Sequence, residues 1–500
     1  MKKTKENKLH IAIIVLGIIF VMMPIWHDNL WYDEAFTVGI VKNNFCDIWR
    51  IGSYDVHPVL YYWILHLVYI IFGSNIYVYR IVSVIPLAIL GILGYTHIRK
   101  DFGEKVGILF SFFTFFLPVT TVYAGEIRMY TWAMLFVTIM AIYAYRIYKE
   151  PTIKNWLIFA IFSLASAYTH YYALATAGII NLMLFIYLIY KSIKLHKENK
   201  ENKVYSNELK FFTISAIAQI LLYIPWVVVF LSQVKGVSDG YWIQKPSLKI
   251  FLQIFTFQFT GDLDATYVQD VIAMIFGYTL IAYTMYLAII NKERRTGILV
   301  IGIYLTVLLI TYIISLKMPI LYARYFLNLT GLFIFFLAFF MAKEKQKIIT
   351  YIICGITVTM AILVNTNIAT RNYSKESKKH LEYIKNDFKD GDIIFWKSGS
   401  DGFTIVMQLA SSVPAYFYNI EESKGKVNIN EYGKNMTEIN TLEKLDNYKG
   451  RIWAIGNYGV TSYDDLIQRY GDKIKKVKQE KFYSGYHRYN YSITLIEKDV

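Results

Sequence analysis

The sequence predicts an α-helical polytopic membrane protein of about eleven spans, followed by a small extracytoplasmic α/β domain. Three observations predict it. The chain is 55% hydrophobic over 500 residues, with 43 Tyr and 33 Phe, and its mean hydropathy is +0.36. Water-soluble chains do not carry such an excess. The apolar residues fall in runs, most of them long enough for the ~20 helical residues that cross the hydrocarbon of a bilayer. The runs then stop near residue 370: from Arg371 to Val500 there are 21 Lys+Arg, 18 Asp+Glu and no spanning run.

The chain begins MKKTKENK and enters an apolar run over 9–25. No small-residue cleavage site follows, because the chain continues MMPIWHDNLWYDE, so this is read as an uncleaved first span with a cytoplasmic N-terminus. Later runs cover roughly 79–98, 105–123, 129–148, 155–171, 172–190, 210–231, 268–290, 296–315, 321–341 and 347–367. The stretch HPVLYYWILHLVYIIF (57–72) is the ambiguous one, with only about 15 apolar residues. Basic residues decide it. With 58–73 lying along the outer surface, HIRKDFGEK, YRIYKEPTIK, the six Lys between 191 and 210, NKERR and MAKEKQK all face the cytoplasm. That gives 22 Lys+Arg inside and 9 outside before residue 371; a spanning 58–73 gives 11 and 20. The positive-inside rule selects the first arrangement, with a long external loop over 27–78.

The formal net charge is +15, but the basic residues sit in short clusters between apolar runs, as cytoplasmic loops do, and nucleic acid is not called as a partner. The two cysteines, Cys46 in a loop and Cys354 in an apolar run, are not expected to pair. In the C-terminal domain, 371–500, DGDIIFW, RIWAIGN and YSITLIE read as strands, and SKESKKHLEYIKNDF and SYDDLIQRYGDKIKKV as helices. No internal repeat, Walker loop, dinucleotide fingerprint or cysteine-ligand zinc motif is present.

On this topology the chemistry-bearing residues gather at the outer end of the bundle. The first external loop, 27–78, holds Asp28, Asp33, Glu34, Asp47, Asp55 and His57. The next turns bring Glu126 and Arg128, then His170, Tyr171 and Tyr172. The last two bring Lys235, Asp239, Trp242 and Lys245, then Lys317, Tyr322, Arg324 and Tyr325. Ionisable groups at a bilayer are costly and are functional candidates by default.

WYDEAF, followed by DVHPVLYYW, YVYRIVS and YAGEIRMY, resembles the family 39 type of membrane glycosyltransferase in the GT-C superfamily, which includes the protein O-mannosyltransferases and the aminoarabinose transferase of lipid A. Those enzymes carry an Asp-Glu pair in the first external loop, a D-x-H-P-P-L element and an Arg at the head of the next span. Here the element is Asp55-Val56-His57-Pro58-Val59-Leu60, with Val in place of the second Pro, and Arg80 stands at the head of the span. The resemblance is good over 10–150 and weaker at YWIQKPS and YARYF. It implies a hexose or pentose donated by a polyprenyl phosphate, transfer with inversion at an extracytoplasmic site, and an envelope glycan, lipid or protein acceptor.

The residue chemistry agrees. Displacing phosphate with inversion needs a base on the acceptor hydroxyl, and Asp33 is the choice, with Glu34 as its orienting or pKa-raising neighbour. The leaving lipid phosphate needs cations: Arg128 and Arg324 first, then Arg80 and Lys245, with Glu126 positioning Arg128. Tyr171, Tyr172 and Trp242 are candidates for stacking on a sugar or lying beside a prenyl chain; Asp55, His57, His170, Tyr322 and Tyr325 are supporting residues. Each has a plainer reading. Tyr171, Tyr172 and Arg324 sit where interfacial anchors sit. Asp33 and Glu34 are also placed as the first-turn acids of a helix. Arg80 reads equally as a structural partner of a loop carboxylate, and His57 as a hydrogen-bonding residue at a helix start. A divalent cation on His27, Asp33, Glu34, Asp55 and His57 is the metal alternative; no metal or other cofactor is assigned. A polytopic transporter or flippase, or a membrane scaffold presenting the C-terminal domain, is the competing class. The repeats and midplane charges of transporters are not visible.

Overall fold

The computed structural model describes residues 2–197, 203–239, 242–261, 267–397, 400–419, 427–456, 462–484 and 489–499. The chain divides into two compact units. The first comprises Met1–Trp26, Asp55–Tyr61 and Val78–Ile368; the second comprises His27–Tyr54, Tyr62–Tyr77 and Ala369–Val500.

Among the described residues, nine helices are long and apolar enough to cross a membrane, from Glu6–Ile25 through Ile76–Phe102 to Lys347–Tyr373. The protein is a multi-pass membrane protein. Two of the expected spans form shorter elements. The run 105–123 breaks into Glu104–Phe116 and Pro118–Tyr123. Leu117 between them is extended (φ −70°, ψ 127°), because a following proline disfavours helical backbone, and Pro118 then opens the next helix. The run 155–171 yields a 15-residue helix, Ile153–Ala167, capped where Thr152 Oγ1 accepts from Asn155 N at 3.3 Å. Leu60–Phe72 has 13 residues, or about 20 Å of helix, less than the thickness of bilayer hydrocarbon.

In the first unit the centre is Thr330–Met341, all twelve of whose residues are buried. TGLFIFFLAFFM is apolar on every side, which suits a helix surrounded by others. Some polar groups between helices are paired: His10 Nε2 bonds to Ser111 Oγ at 2.8 Å, Thr330 Oγ1 donates to Gln258 Oε1 at 3.0 Å, and Asn365 Nδ2 donates to Phe20 O at 2.9 Å. Backbone and amide groups removed from water need such partners. The basic loops expected inside carry ion pairs, Arg146–Asp101 at 2.8 Å, Lys191–Glu208 at 3.0 Å and Lys343–Glu293 at 2.6 Å.

In the second unit a six-stranded sheet is formed by β1 (Ile393–Trp396), β2 (Ala415–Tyr418), β3 (Met436–Ile439), β4 (Gly450–Gly456), β5 (Ile474–Ser484) and β6 (Tyr489–Lys498). The order is β3-β2-β1-β4-β6-β5; the first four strands are parallel, and β6 and β5 are added antiparallel. Every residue of β1 is buried, as expected of a parallel strand covered on both faces. Ile393, Phe395, Ile452, Ala454 and Ile496 form one apolar layer with Leu442, Leu445, Leu466 and Tyr470. The helix read over SYDDLIQRYGDKIKKV ends at Tyr470, and IKKV opens β5. SKESKKHLEYIKNDF forms a 3-10 turn and the helix Lys379–Lys385.

Candidate functional site

Asp33 and Glu34 lie in the second unit, in the first turn of the helix Tyr32–Ile40. Glu34 is 1% exposed, and its carboxylate accepts from the Trp31 backbone N–H at 3.4 Å. It therefore reaches back over its own helix start, as the third residue of a capping box does. Asp33 is half-buried, and its carbonyl accepts from Thr37 Oγ1 at 2.8 Å. Two adjacent carboxylates thus have different surroundings. Glu34 serves the helix, while the Asp33 side chain stands on the flank at the positive end of a short helix.

The remaining candidates lie in the first unit. Four of its segments bring their rings together. His57 and His170 lie with ring centroids 5.3 Å apart; Tyr325 is 6.0 Å from His57 and 5.3 Å from His170. Tyr172 is 5.7 Å from His170 and 5.4 Å from Tyr325, and Tyr130 is 6.0 Å from His170. Both histidines are buried. His170 Nδ1 accepts from Tyr172 N at 3.2 Å, whereas His170 Nε2 and His57 Nδ1 have no hydrogen-bond partner among the described residues. The hydrogen bond expected of His57 at a helix start is therefore not made through Nδ1; the residue is a member of a ring cluster.

Charge enters this cluster through arginines. Burial, with Arg128, His170 and Arg324 close by, pushes the His57 imidazole well below its ordinary range. Burial, with Arg128, pushes His170 down to about 3. Both rings are therefore neutral near pH 7, each able to donate one N–H and accept at the other nitrogen. Arg128 is 3% exposed. Arg324 lies over the Tyr322 ring at 4.8 Å and the Trp242 ring at 6.0 Å, a cation–π arrangement that holds a guanidinium in place. Arg80 is buried and donates through Nη1 to Gly125 O at 2.7 Å, in the turn that carries Glu126 and Arg128. The Arg128 backbone N–H donates to Glu126 O at 2.7 Å, which tightens the same turn.

The other residues fall at the margin. Lys245 and Trp242 are exposed, and Asp55 is half-buried two residues before His57. The Tyr171 hydroxyl donates to Gln233 Oε1 and accepts from Trp226 Nε1 at 3.0 Å, so it ties its helix to Lys203–Asp239. The Tyr172 hydroxyl donates to Ile320 O. Both tyrosines thus have structural work at their hydroxyls, with their ring faces still part of the aromatic surroundings. Among the described residues no three His, Cys, Asp or Glu side chains are placed to hold a metal ion. His27 is engaged elsewhere, with Nε2 2.9 Å from Asn372 Nδ2. Sequence reading missed Tyr130, Trp226 and Gln233. Gln233 had a signal, an amide at the end of the apolar run VVVFL.

Comparison with known proteins bears on this arrangement. Residues 56–232 match the family model described as dolichyl-phosphate-mannose-protein mannosyltransferase. A comparison with curated protein sequences gives no match. Among solved structures the chain is similar to ArnT from Cupriavidus metallidurans in the apo state, at 7% identity, with 97% of each chain covered and a TM-score of 0.59. It is similar to the same protein bound to undecaprenyl phosphate at 9% identity, with 97% of each chain covered and a TM-score of 0.60. The matched family segment contains His57, Arg80, Arg128, His170, Tyr171 and Tyr172, and the likeness in fold runs through both units. The chain is a multi-pass membrane protein that shares the fold of ArnT.

Proposed function

We propose that the chain transfers a sugar from a polyprenyl-phosphate donor to an extracytoplasmic acceptor, with inversion at the anomeric carbon. The N-terminus lies in the cytoplasm, and the domain over 371–500 lies on the far side of the membrane with the first loop. The observation that most directly supports this reading is the likeness, over 97% of both chains, to ArnT bound to undecaprenyl phosphate.

Each group has a role that follows from its chemistry. The guanidinium groups of Arg128 and Arg324 take the donor phosphate and the charge that grows on it as the sugar–oxygen bond breaks. Neutral His57 and His170 supply N–H donors without adding charge, and Tyr325, Tyr172 and Tyr322 give the sugar and first prenyl units an aromatic wall. Arg80 fixes the turn bearing Arg128. Asp33 accepts the proton of the attacking acceptor hydroxyl, and Glu34 holds the helix on which Asp33 stands. The proton moves to Asp33, the acceptor oxygen bonds to the anomeric carbon, and polyprenyl phosphate leaves with the bonding electrons. The acceptor is an envelope glycan, lipid or protein.

The test separates binding from chemistry. Purified Asp33→Asn protein should bind undecaprenyl phosphate like the parent, yet turn over a polyprenyl-phosphate sugar about 10²–10⁴-fold more slowly. Parent-like turnover by a correctly folded Asp33→Asn protein removes Asp33 from the mechanism.

A further inference from the structure

The segment that bears Asp33 folds with the C-terminal domain, in the second unit. Its attachments run from end to end. Asp28 pairs with Lys378 at 2.6 Å, and Asn29 Nδ2 donates to Asn372 O at 3.0 Å. The Leu30 backbone N–H donates to Gln408 Oε1 at 3.2 Å. The Tyr32 ring meets Phe403 edge-on at 5.7 Å, and the Phe36 ring meets Tyr432 at 5.0 Å. Phe403 and Tyr432 are themselves in ring contact at 5.7 Å. Past the helix, Asn43 Nδ2 donates to Glu431 O at 2.9 Å, and Arg50 pairs with the Glu431 carboxylate.

The spacing of these contacts gives them meaning. Tyr32, Phe36 and Gly39 stand at i, i+4 and i+7, which is one stripe of a helix. All three face Phe403 or Tyr432. The approach at Gly39 is so close that a Cβ there would lie 2.9 Å from Tyr432 Cβ and 3.2 Å from its Cα. A nine-residue helix is marginal by itself, so its register and rotation must come from what it packs on. Asp33 is next to the stripe, about 100° around the axis from Tyr32, so the same packing fixes the direction in which its carboxylate leaves the helix.

We infer that the C-terminal α/β domain is the positioning element for the Asp33 helix, with Phe403, Gln408 and Tyr432 as positioning residues for the base. The inference rests on the reading of Asp33 as the base. The domain thereby acts on the rate of transfer and not on capture of the donor lipid. A reacting group displaced by about 1 Å can cost roughly 100-fold in rate, whereas a merely loosened surface domain leaves the chemistry unchanged. The exposed Arg50–Glu431 pair contributes little by itself.

The experiment uses the full-length protein, a panel of undecaprenyl-phosphate hexoses and pentoses, and envelope extract as acceptor source. It reads kcat, donor KM and binding of undecaprenyl phosphate. Tyr432→Leu, which removes the ring from Phe36 and Phe403, and Gly39→Ala, which adds one methyl against Tyr432, should each lower kcat about 10- to 100-fold. Donor KM and undecaprenyl phosphate binding should stay within about twofold of the parent, and Tyr432→Phe, which keeps the ring, should restore kcat. Parent-like kcat in both variants overturns the inference. So does a parallel loss of kcat and lipid binding, which marks general disruption. If Asp33→Asn in the same assay keeps its turnover, it is the base reading that fails, and the two failures are thus told apart.

Discussion

In the proposed reading, Arg128 is the residue on which donor recognition turns. It is buried, next to two neutral histidines, at the end of a turn tightened by Arg80. One arginine–phosphate contact contributes about 1.5–3 kcal/mol as a charge-assisted hydrogen bond, so Arg128→Ala should weaken undecaprenyl phosphate binding roughly 10- to 150-fold by calorimetry. Arg128→Lys should restore only part of it, since lysine offers a point charge instead of a fork. Equal affinity in all three proteins would exclude Arg128 from the lipid site. His170 makes a separate prediction about pH. Its folded pKa, pushed down to about 3, lies below the unfolded value near 6.5. Between those values the unfolded chain binds the proton and the folded chain does not, so stability is full above about pH 6.5 and falls as pH drops toward 3. The thermal midpoint should therefore fall between pH 7.5 and 4.5, and less steeply in His170→Asn. Identical slopes would show that His170 does not contribute. The motifs made Arg128, His57 and His170 legible as candidates, because polar residues stand out between apolar runs. The ring cluster was not legible, since it joins four segments far apart in sequence.

At the scale of elements, the buried helix Thr330–Met341 makes the sharpest demand on packing. A Cβ at Gly331 would meet Thr138 Oγ1 at 1.9 Å, whereas one at Gly302 meets nothing within 4 Å. Gly331→Ala should cost about 1–3 kcal/mol through overpacking, and Gly302→Ala should be neutral or stabilising by up to about 1 kcal/mol. Thermal melts of the two variants in the same detergent check this; equal shifts would mean that the Gly331 contact relaxes freely. The long apolar helices were readable because hydrophobic length is itself the signal. Leu117–Pro118 was not read as a break, although a proline there favours one. The start of strand β5, IKKV, was read as the end of a helix because it places apolar residues three apart. Pairing with β6 overrides that periodicity, and Lys475, Lys476, Lys478 and Lys481 suit a sheet edge that must not recruit another strand. β2 and β3 have four residues each, too short for a period-2 pattern to stand out.

For the whole molecule, the proposed orientation has a native reporter. Cys46 is exposed in the first loop, and Cys354 is in a long apolar helix. An impermeant maleimide should label Cys46 in intact cells. In a Cys46→Ser background, Lys444→Cys should label and Lys100→Cys should not, following the 22-to-9 distribution of basic residues. The reverse pattern would mean that 58–73 crosses the membrane. The bundle, the α/β domain and the GT-C resemblance were legible in composition, charge and motif. The packing of the Asp33 helix on Phe403 and Tyr432 was not, because the partners are separated by some 370 to 400 residues. The most direct measurement for the central claim is donor choice. Purified full-length protein with envelope extract is given either an undecaprenyl-phosphate sugar or the matching nucleotide sugar, and sugar transfer is followed. Transfer from the lipid donor alone, suppressed by Arg128→Ala, is the predicted result; efficient transfer from the nucleotide sugar, unaffected by Arg128→Ala, would contradict it.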